Sequence, residues 1–330
     1  VLVRQNAPVL GASDDLPSAG EWQVSLAYRG LESDRHYSGT EEQVHREELM
    51  TNVINRQMLL DLGITYSVSS RLSLSLGVPY VDASWSLPTP IAPEPGPRAQ
   101  QDASGIGDLS LTGRYWLKDP ATAGAWNVSL GLGVKAPTGD DHATDIYPDI
   151  TGGNAVEKAV DQSVQLGDGG WGAILEVVAF RRIGPATLFA TGSYLINPKD
   201  TNSTPSILVG LGVGGSPANA DLLVNSVPDQ YVARIGSTFP SGLEGLTLSL
   251  AGRIEGLPRY DLIGDSHGWR RPGYEVYVEP GLVYTKGRTS FSFHVPIGVQ
   301  RNRQPNPYTG REGDATFPDY VTLASVSYRF

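Results

Sequence analysis

The feature that most constrains this chain is a period-two alternation of apolar and polar residues that recurs from residue 22 to residue 330. Trp22, Val24, Leu26 and Tyr28 alternate with Gln23, Ser25 and Arg29, and Leu60, Leu62, Ile64 and Tyr66 alternate with Asp61, Gly63, Thr65 and Ser67. After "VSSR" the pattern resumes at Leu72, Leu74, Leu76, Val78 and Tyr80. A side-chain period of two belongs to a strand with unlike faces, not to a helix. Further strands of this kind are expected at 105–117, 125–136, 170–182, 187–197, 229–239, 245–256, 273–285, 289–301 and 319–330. The total is about twelve, an even number like that of bacterial single-chain outer-membrane barrels.

The connections alternate in length. Short ones ("VSSR", "KDPATAGA", "RIGPA", "PSGLEG", "KGR") follow the even strands, and long polar ones follow the odd strands, the longest at about 138–169 and 198–228. Short periplasmic turns and long outer loops predict this asymmetry, with both termini periplasmic. Aromatic residues on the apolar parity fall at the strand ends. Trp22, Tyr66, Tyr115, Trp126, Phe239, Tyr284, Phe291, Tyr328 and Phe330 mark one level, and Tyr28, Tyr80, Trp171, Tyr194, Tyr231, Tyr274 and Tyr320 the other. Leu, Val, Ile and Ala occupy the middles, the arrangement of two girdles around a lipid-facing band. A soluble lipocalin-like or sandwich fold with its apolar face inward is the competing architecture. It gives no reason for the girdles or the loop asymmetry.

Composition narrows the function classes. No apolar run approaches the roughly 18–20 residues that a spanning helix requires. Cysteine is absent, which removes disulfides and thiolate metal sites. The net charge of -10 argues against a nucleic-acid partner. The expectation is an all-β chain: a transmembrane antiparallel up-and-down barrel over residues 21–330, preceded by a periplasmic or plug-like segment at 1–20. Phe330 would close the last strand at the periplasmic girdle.

Three stretches, "GIGDLSLTGRYWL" at 105–117, "LGLGVKAPTGDD" at 130–141 and "VPDQYVARIG" at 227–236, resemble an outer-membrane β-barrel transporter family named for the MetA pathway of phenol degradation. The resemblance follows the order of segments from about residue 55 onward. It implies a channel in the outer membrane of a Gram-negative bacterium that passes small, hydrophobic or aromatic solutes without a cofactor. It brings no binding residues with it.

If the apolar parity faces lipid, the other parity faces the lumen. The candidate lumen-lining residues are Arg114, Lys135, Glu176, Arg234, Arg253, Glu255, Glu275, Glu279 and His294, with Asp61, Gln300 and Arg329 sharing their parity. Arg234, Glu279 and His294 are expected near mid-height, and Arg253, Glu255 and Glu275 nearer the outer rim. Mixed charges there either select solutes by a transverse field or pair with each other and brace a plugged barrel. Inward Gly63, Gly131 and Gly281 leave room for either.

The apolar stretch near 206–215 is expected to fold into the barrel mouth, the alternative being an added strand pair above the membrane. Asp140, Asp141, His142, Asp145 and Asp149 make an acidic loop that reads as solvated, with Ca²⁺ binding as the other possibility. Among the histidines, His36, His45, His142 and His267 fall in expected loops and only His294 on a strand. Ser292 on the same strand is about 7 Å away, too far for a nucleophile–base pair. The chain therefore reads as a channel rather than an enzyme, with a non-conducting structural or partner-anchoring barrel as the second reading and an outer-membrane lipid hydrolase as a distant third. Outer-membrane lipid and lipopolysaccharide are the expected surroundings, and a protein partner or a homo-oligomer is compatible with them.

Overall fold

The structure, a computed structural model, describes residues 18–213, 217–311, 313 and 315–330. Twelve antiparallel strands form one closed barrel. They are β1 (Trp22–Ser38), β2 (Ile54–Ser67), β3 (Leu72–Pro88), β4 (Arg98–Ile106 and Leu109–Trp116), β5 (Trp126–Ala136) and β6 (Gly172–Ile183). The second half comprises β7 (Ala186–Ile196), β8 (Gln230–Pro240), β9 (Leu246–Leu257), β10 (Gly273–Lys286), β11 (Thr289–His294 and Ile297–Arg303) and β12 (Ala315–Arg329). Each strand pairs with its sequence neighbours, and β12 returns to β1 from Gln23↔Arg329 to Tyr37↔Ala315. The ends are tied where the Trp22 N–H donates to the Phe330 carbonyl at 3.1 Å and the Phe330 N–H donates back at 3.0 Å. The expected N-terminal segment at 1–20 lies almost wholly outside the described residues.

The apolar parity faces outward. Leu132 is 67% exposed and Ile235 71%, values that a water-soluble fold avoids for contiguous large apolar residues. Trp22, Tyr115, Trp126, Phe239, Tyr284, Phe291 and Tyr328 are exposed at the short-turn end, and Tyr28, Tyr80, Trp171 and Tyr320 at the other. No helix among the described residues is long and apolar enough to cross a membrane.

Several strands run past the upper girdle, where a period-two apolar signal is not needed because both faces meet polar groups. β1 continues from Tyr28 to Ser38, β3 from Tyr80 to Pro88, and β4 begins at Arg98 rather than near 105. His36 is accordingly on a strand, not in a loop, and is buried with its Nε2 accepting the Val53 N–H at 2.7 Å. A second difference lies on β11. Its register with β10 slips between Val276↔Gln300 and Tyr277↔Gly298, a bulge that flips the parity beyond it. Gln300 therefore points outward and is exposed, while Arg301 takes the inward place.

The long connections fold over one end. A hairpin of Thr144–Tyr147 with Val156–Ala159 and another of Thr201–Pro205 with Val224–Ser226 stand above the barrel. Between the second pair lies a one-turn helix, Ile207–Gly210. Ile207 and Leu211 pack in a buried cluster with Leu59, Val81, Trp85, Tyr147, Val160 and Val164. Of the apolar stretch near 206–215, residues 207–211 thus enter the mouth, 214 and 215 lie outside the described residues, and the strand pair expected as the alternative is present beside it.

Candidate functional site: the barrel lumen and its outer vestibule

Inward residues come from alternate positions of every strand, so the lumen is set by the same period that made the lipid face. The nine sequence-predicted residues are all inside, in two groups on opposite walls. Arg234, Arg253, Glu255, Glu275, Glu279 and His294 belong to β8–β11, and Arg114, Lys135 and Glu176 to β4–β6.

The first group is one ion-paired network. Arg253 Nε donates to Glu255 Oε2 at 2.9 Å, and Arg253 Nη1 reaches Glu279 Oε2 at 3.5 Å. Arg234 pairs with Glu279, and His294 Nδ1 lies 3.3 Å from the same carboxylate. Tyr277 donates to Glu275 Oε2 at 2.8 Å, and Glu275 Oε1 meets Arg301 Nε at 3.0 Å. Glu279 is fully buried and Arg253 is 2% exposed, so these charges persist only because each is paired. By register Arg234 stands opposite Arg253, and Glu255 opposite Glu275 two residues further along β9, so the network runs between the two expected levels. Arg29 of β1 completes it across the lumen. Three strands separate β1 from β9 around the wall, yet Arg29 Nη1 donates to Glu255 Oε2 at 3.2 Å and Nη2 to Oε1.

On the other wall Arg114 and Glu176 meet at 2.6 Å across β5. Their common register partner is Gly131, and a Cβ there would stand 2.9 Å from the Glu176 Cβ. Glycine is what lets the pair close. Lys135 bonds Asp168 and lies 3.5 Å from Asp108 Oδ2. Asp108 also accepts the Gly139 N–H at 2.9 Å and the Asp168 N–H at 3.2 Å. Gly107–Asp108, Gly139–Asp140 and Gly167–Asp168, three Gly-Asp pairs, therefore converge at this rim, where the Leu166 and Gly167 N–H groups donate to the Asp140 carbonyl at 3.1 Å.

The segment 160–166 bends inward from the loop after β5, a feature that sequence reading missed. Val160 and Val164 are fully buried, Asn55 donates to Ser163 Oγ at 2.5 Å and Gln57 to the Ser163 carbonyl at 3.0 Å. Asp161 is held at 2.5 Å by Arg271 and accepts locally from Ser163. The clue was the alternation of "AVDQSVQL" inside an otherwise polar loop. Gln162 and Ser163 line two cavities of about 130 Å³ each. One borders Lys135, Glu176 and Gln230, and the other Arg29, Glu255 and Glu275. A third, of about 100 Å³, lies beyond the network and is lined by Asp61, Arg234, Ser292 and His294. Ser292 bonds Ser325 at 2.6 Å. Above the inward segment is a vestibule of about 240 Å³ lined by Asp161, Trp85, Ile207 and Trp269.

The acidic loop does not converge as a set. Asp140, Asp141 and His142 sit within 4.8 Å of one another at an exposed bend. Asp145 instead accepts the Asp102 N–H at 2.9 Å, and Asp149 accepts from Thr151 and Asn154 in its own turn. Those bonds hold the Asp149 carboxyl down at about 2.

Residues 64–171 match the family model described as Putative MetA-pathway of phenol degradation. Two of the three quoted stretches fall within that match, and 227–236 lies outside it. No curated protein matches the sequence. Among solved structures, an outer membrane channel from Pseudomonas putida F1 is similar at 12% identity and a TM-score of 0.61, over 98% of this chain and 100% of that one. The translocator domain of autotransporter NalP from Neisseria meningitidis gives 13% and 0.47 over 96% and 90%. The Pseudomonas putida toluene transporter TodX gives 11% and 0.44 over 96% and 90%. The likeness at 0.61 is one of fold, that of an outer-membrane β-barrel channel.

Proposed function

We propose that this chain, whose residues 64–171 carry the signature of the MetA-pathway family and whose fold is that of an outer-membrane channel, passes small solutes by passive diffusion across the bacterial outer membrane. The observation that carries the reading is the row of cavities on both sides of the 160–166 segment, with Asp161 lining the outer one and Gln162 and Ser163 the inner two. A barrel serving only as an anchor needs no cavities in series.

The inward segment covers the lumen from above, and the Arg29–Glu255 bridge crosses it below, between two of the cavities. Passage requires the segment to swing aside, a motion of hydrogen-bonded loop residues rather than of the wall. The apolar vestibule supports a hydrophobic or aromatic cargo, and the charged lumen then acts as a polar throat that such a molecule crosses one at a time. In this reading the girdled surface contacts outer-membrane lipid, with lipopolysaccharide at the long-loop end and the tied Trp22 and Phe330 ends in the periplasm.

The non-conducting reading has its own observation, the dense cross-lumen ion pairing. Liposome swelling separates the two. Proteoliposomes diluted into small neutral and aromatic solutes swell faster than empty liposomes if the barrel conducts, and swelling indistinguishable from empty liposomes for all of them selects the anchoring barrel.

A further inference from the structure

The outer vestibule combines an apolar body with anion-seeking groups. Trp85, Leu87, Ile91, Ile207, Leu211 and Trp269 supply its walls. Its volume of about 240 Å³ exceeds the roughly 150 Å³ apolar cavity that admits benzene. A single ring with a short polar substituent therefore fits, while a long chain does not.

Among the described residues, Arg46, Arg270, Arg271 and Arg311 border the vestibule, and Asp161 is the carboxylate that lines it. Arg270 is committed to Asp261 and Ser226, and Arg271 is shared with Asp161. Arg271 and Arg311 flank the Trp269 ring, with guanidinium carbons 5.9 Å and 5.8 Å from its centroid.

The indole N–H groups of Trp85 and Trp269 are both buried with no hydrogen-bond partner among the described residues. A buried donor without an acceptor destabilises the site that holds it. Two such donors on one apolar cavity, with the Arg311 guanidinium beside the Trp269 ring at its edge, call for an occupant that brings acceptor oxygens and negative charge. We propose that the vestibule is a binding site for small aromatic carboxylates, the ring against Leu87, Ile207 and Leu211 and the carboxylate toward Trp269 and Arg311. This deepens the channel reading and rests on it for the ligand's onward path past Asp161.

The test uses the full chain in detergent, titrated calorimetrically with benzoate and with its neutral isostere benzyl alcohol. Benzoate binds at least tenfold more tightly than benzyl alcohol. Arg311→Gln, an exposed position, weakens benzoate at least fivefold and leaves benzyl alcohol unchanged, and Leu211→Trp, which fills the cavity, abolishes both. Equal affinity for the two probes, or benzoate binding untouched by either substitution, overturns the assignment. Conductance of the same preparation keeps the two readings apart. A conducting barrel that does not prefer benzoate overturns only this site, and a silent barrel that binds benzoate as described overturns only the channel.

Discussion

Arg29 and Glu255 bridge the barrel lumen from strands that are not neighbours, the guanidinium of β1 meeting the carboxylate of β9 in a two-pronged pair while Arg253 holds the other side of the same carboxylate. Both residues are buried. Removing Arg29 leaves the buried Glu255 carboxylate with Arg253 as its remaining cation, so Arg29→Gln should destabilise the folded barrel by about 1.5–3 kcal/mol, the range of a lost charged hydrogen bond. Replacing both, as Arg29→Met with Glu255→Met, should cost much less. Urea unfolding in lipid vesicles measures the difference, and equal losses for the single and double variants would show that the bridge is not a coupled pair.

Gly131 separates Arg114 from Glu176 on the opposite wall. Gly131→Val should push the Glu176 side chain off its partner and lower stability by about 1–3 kcal/mol, the range of an overpacked site. A Gly131→Val barrel with an unchanged unfolding midpoint would mean that the wall accommodates a side chain there.

Lys135 neutralises Asp108 and Asp168 where the three Gly-Asp pairs meet. Lys135→Met should leave both carboxylates without their cation and release the loop that follows β5. Hydrogen exchange at Gly139 and Asp168, whose N–H groups both donate to Asp108, should rise at least tenfold. Protection that stays at the native level would assign the rim's order to its backbone alone.

Asp149 gives a pH dependence outside the barrel. Its carboxyl is held at about 2 by the hydroxyl and N–H of Thr151 and by Asn154, against an unfolded value of about 3.9. A depressed folded pKa means that its contribution is fully present above pH 4 and is lost as pH falls through 2. Protection of the Thr151 and Gly153 amides, taken relative to the intrinsic exchange rate at each pH, should therefore fall between pH 4 and pH 2, and Asp149→Asn should remove that step.

The barrel was legible because lipid imposes a strict outer parity, and Trp22, Leu62, Leu132 and Ile235 all obey it. Legibility failed where that constraint lifts. Arg98–Ser104 forms strand above the girdle with no apolar alternation, and Gln300 was misplaced by a bulge that a period cannot announce. Parity alone named the nine candidate lumen residues. It did not name which of them touch, since Arg29–Glu255 depends on how the lumen narrows, and Asp161–Gln165 enters from a loop.

The central claim is a solute path closed by the 160–166 segment, and single-channel recording in planar bilayers tests it most directly. Wild-type protein should show small or infrequent openings. A variant with Asp161–Gln165 replaced by Gly should conduct severalfold more, because Asn55 and Arg271 lose the side chains by which they hold the segment. Bilayers that stay silent with the variant, in protein shown to be folded by heat-modifiable migration, would contradict the account.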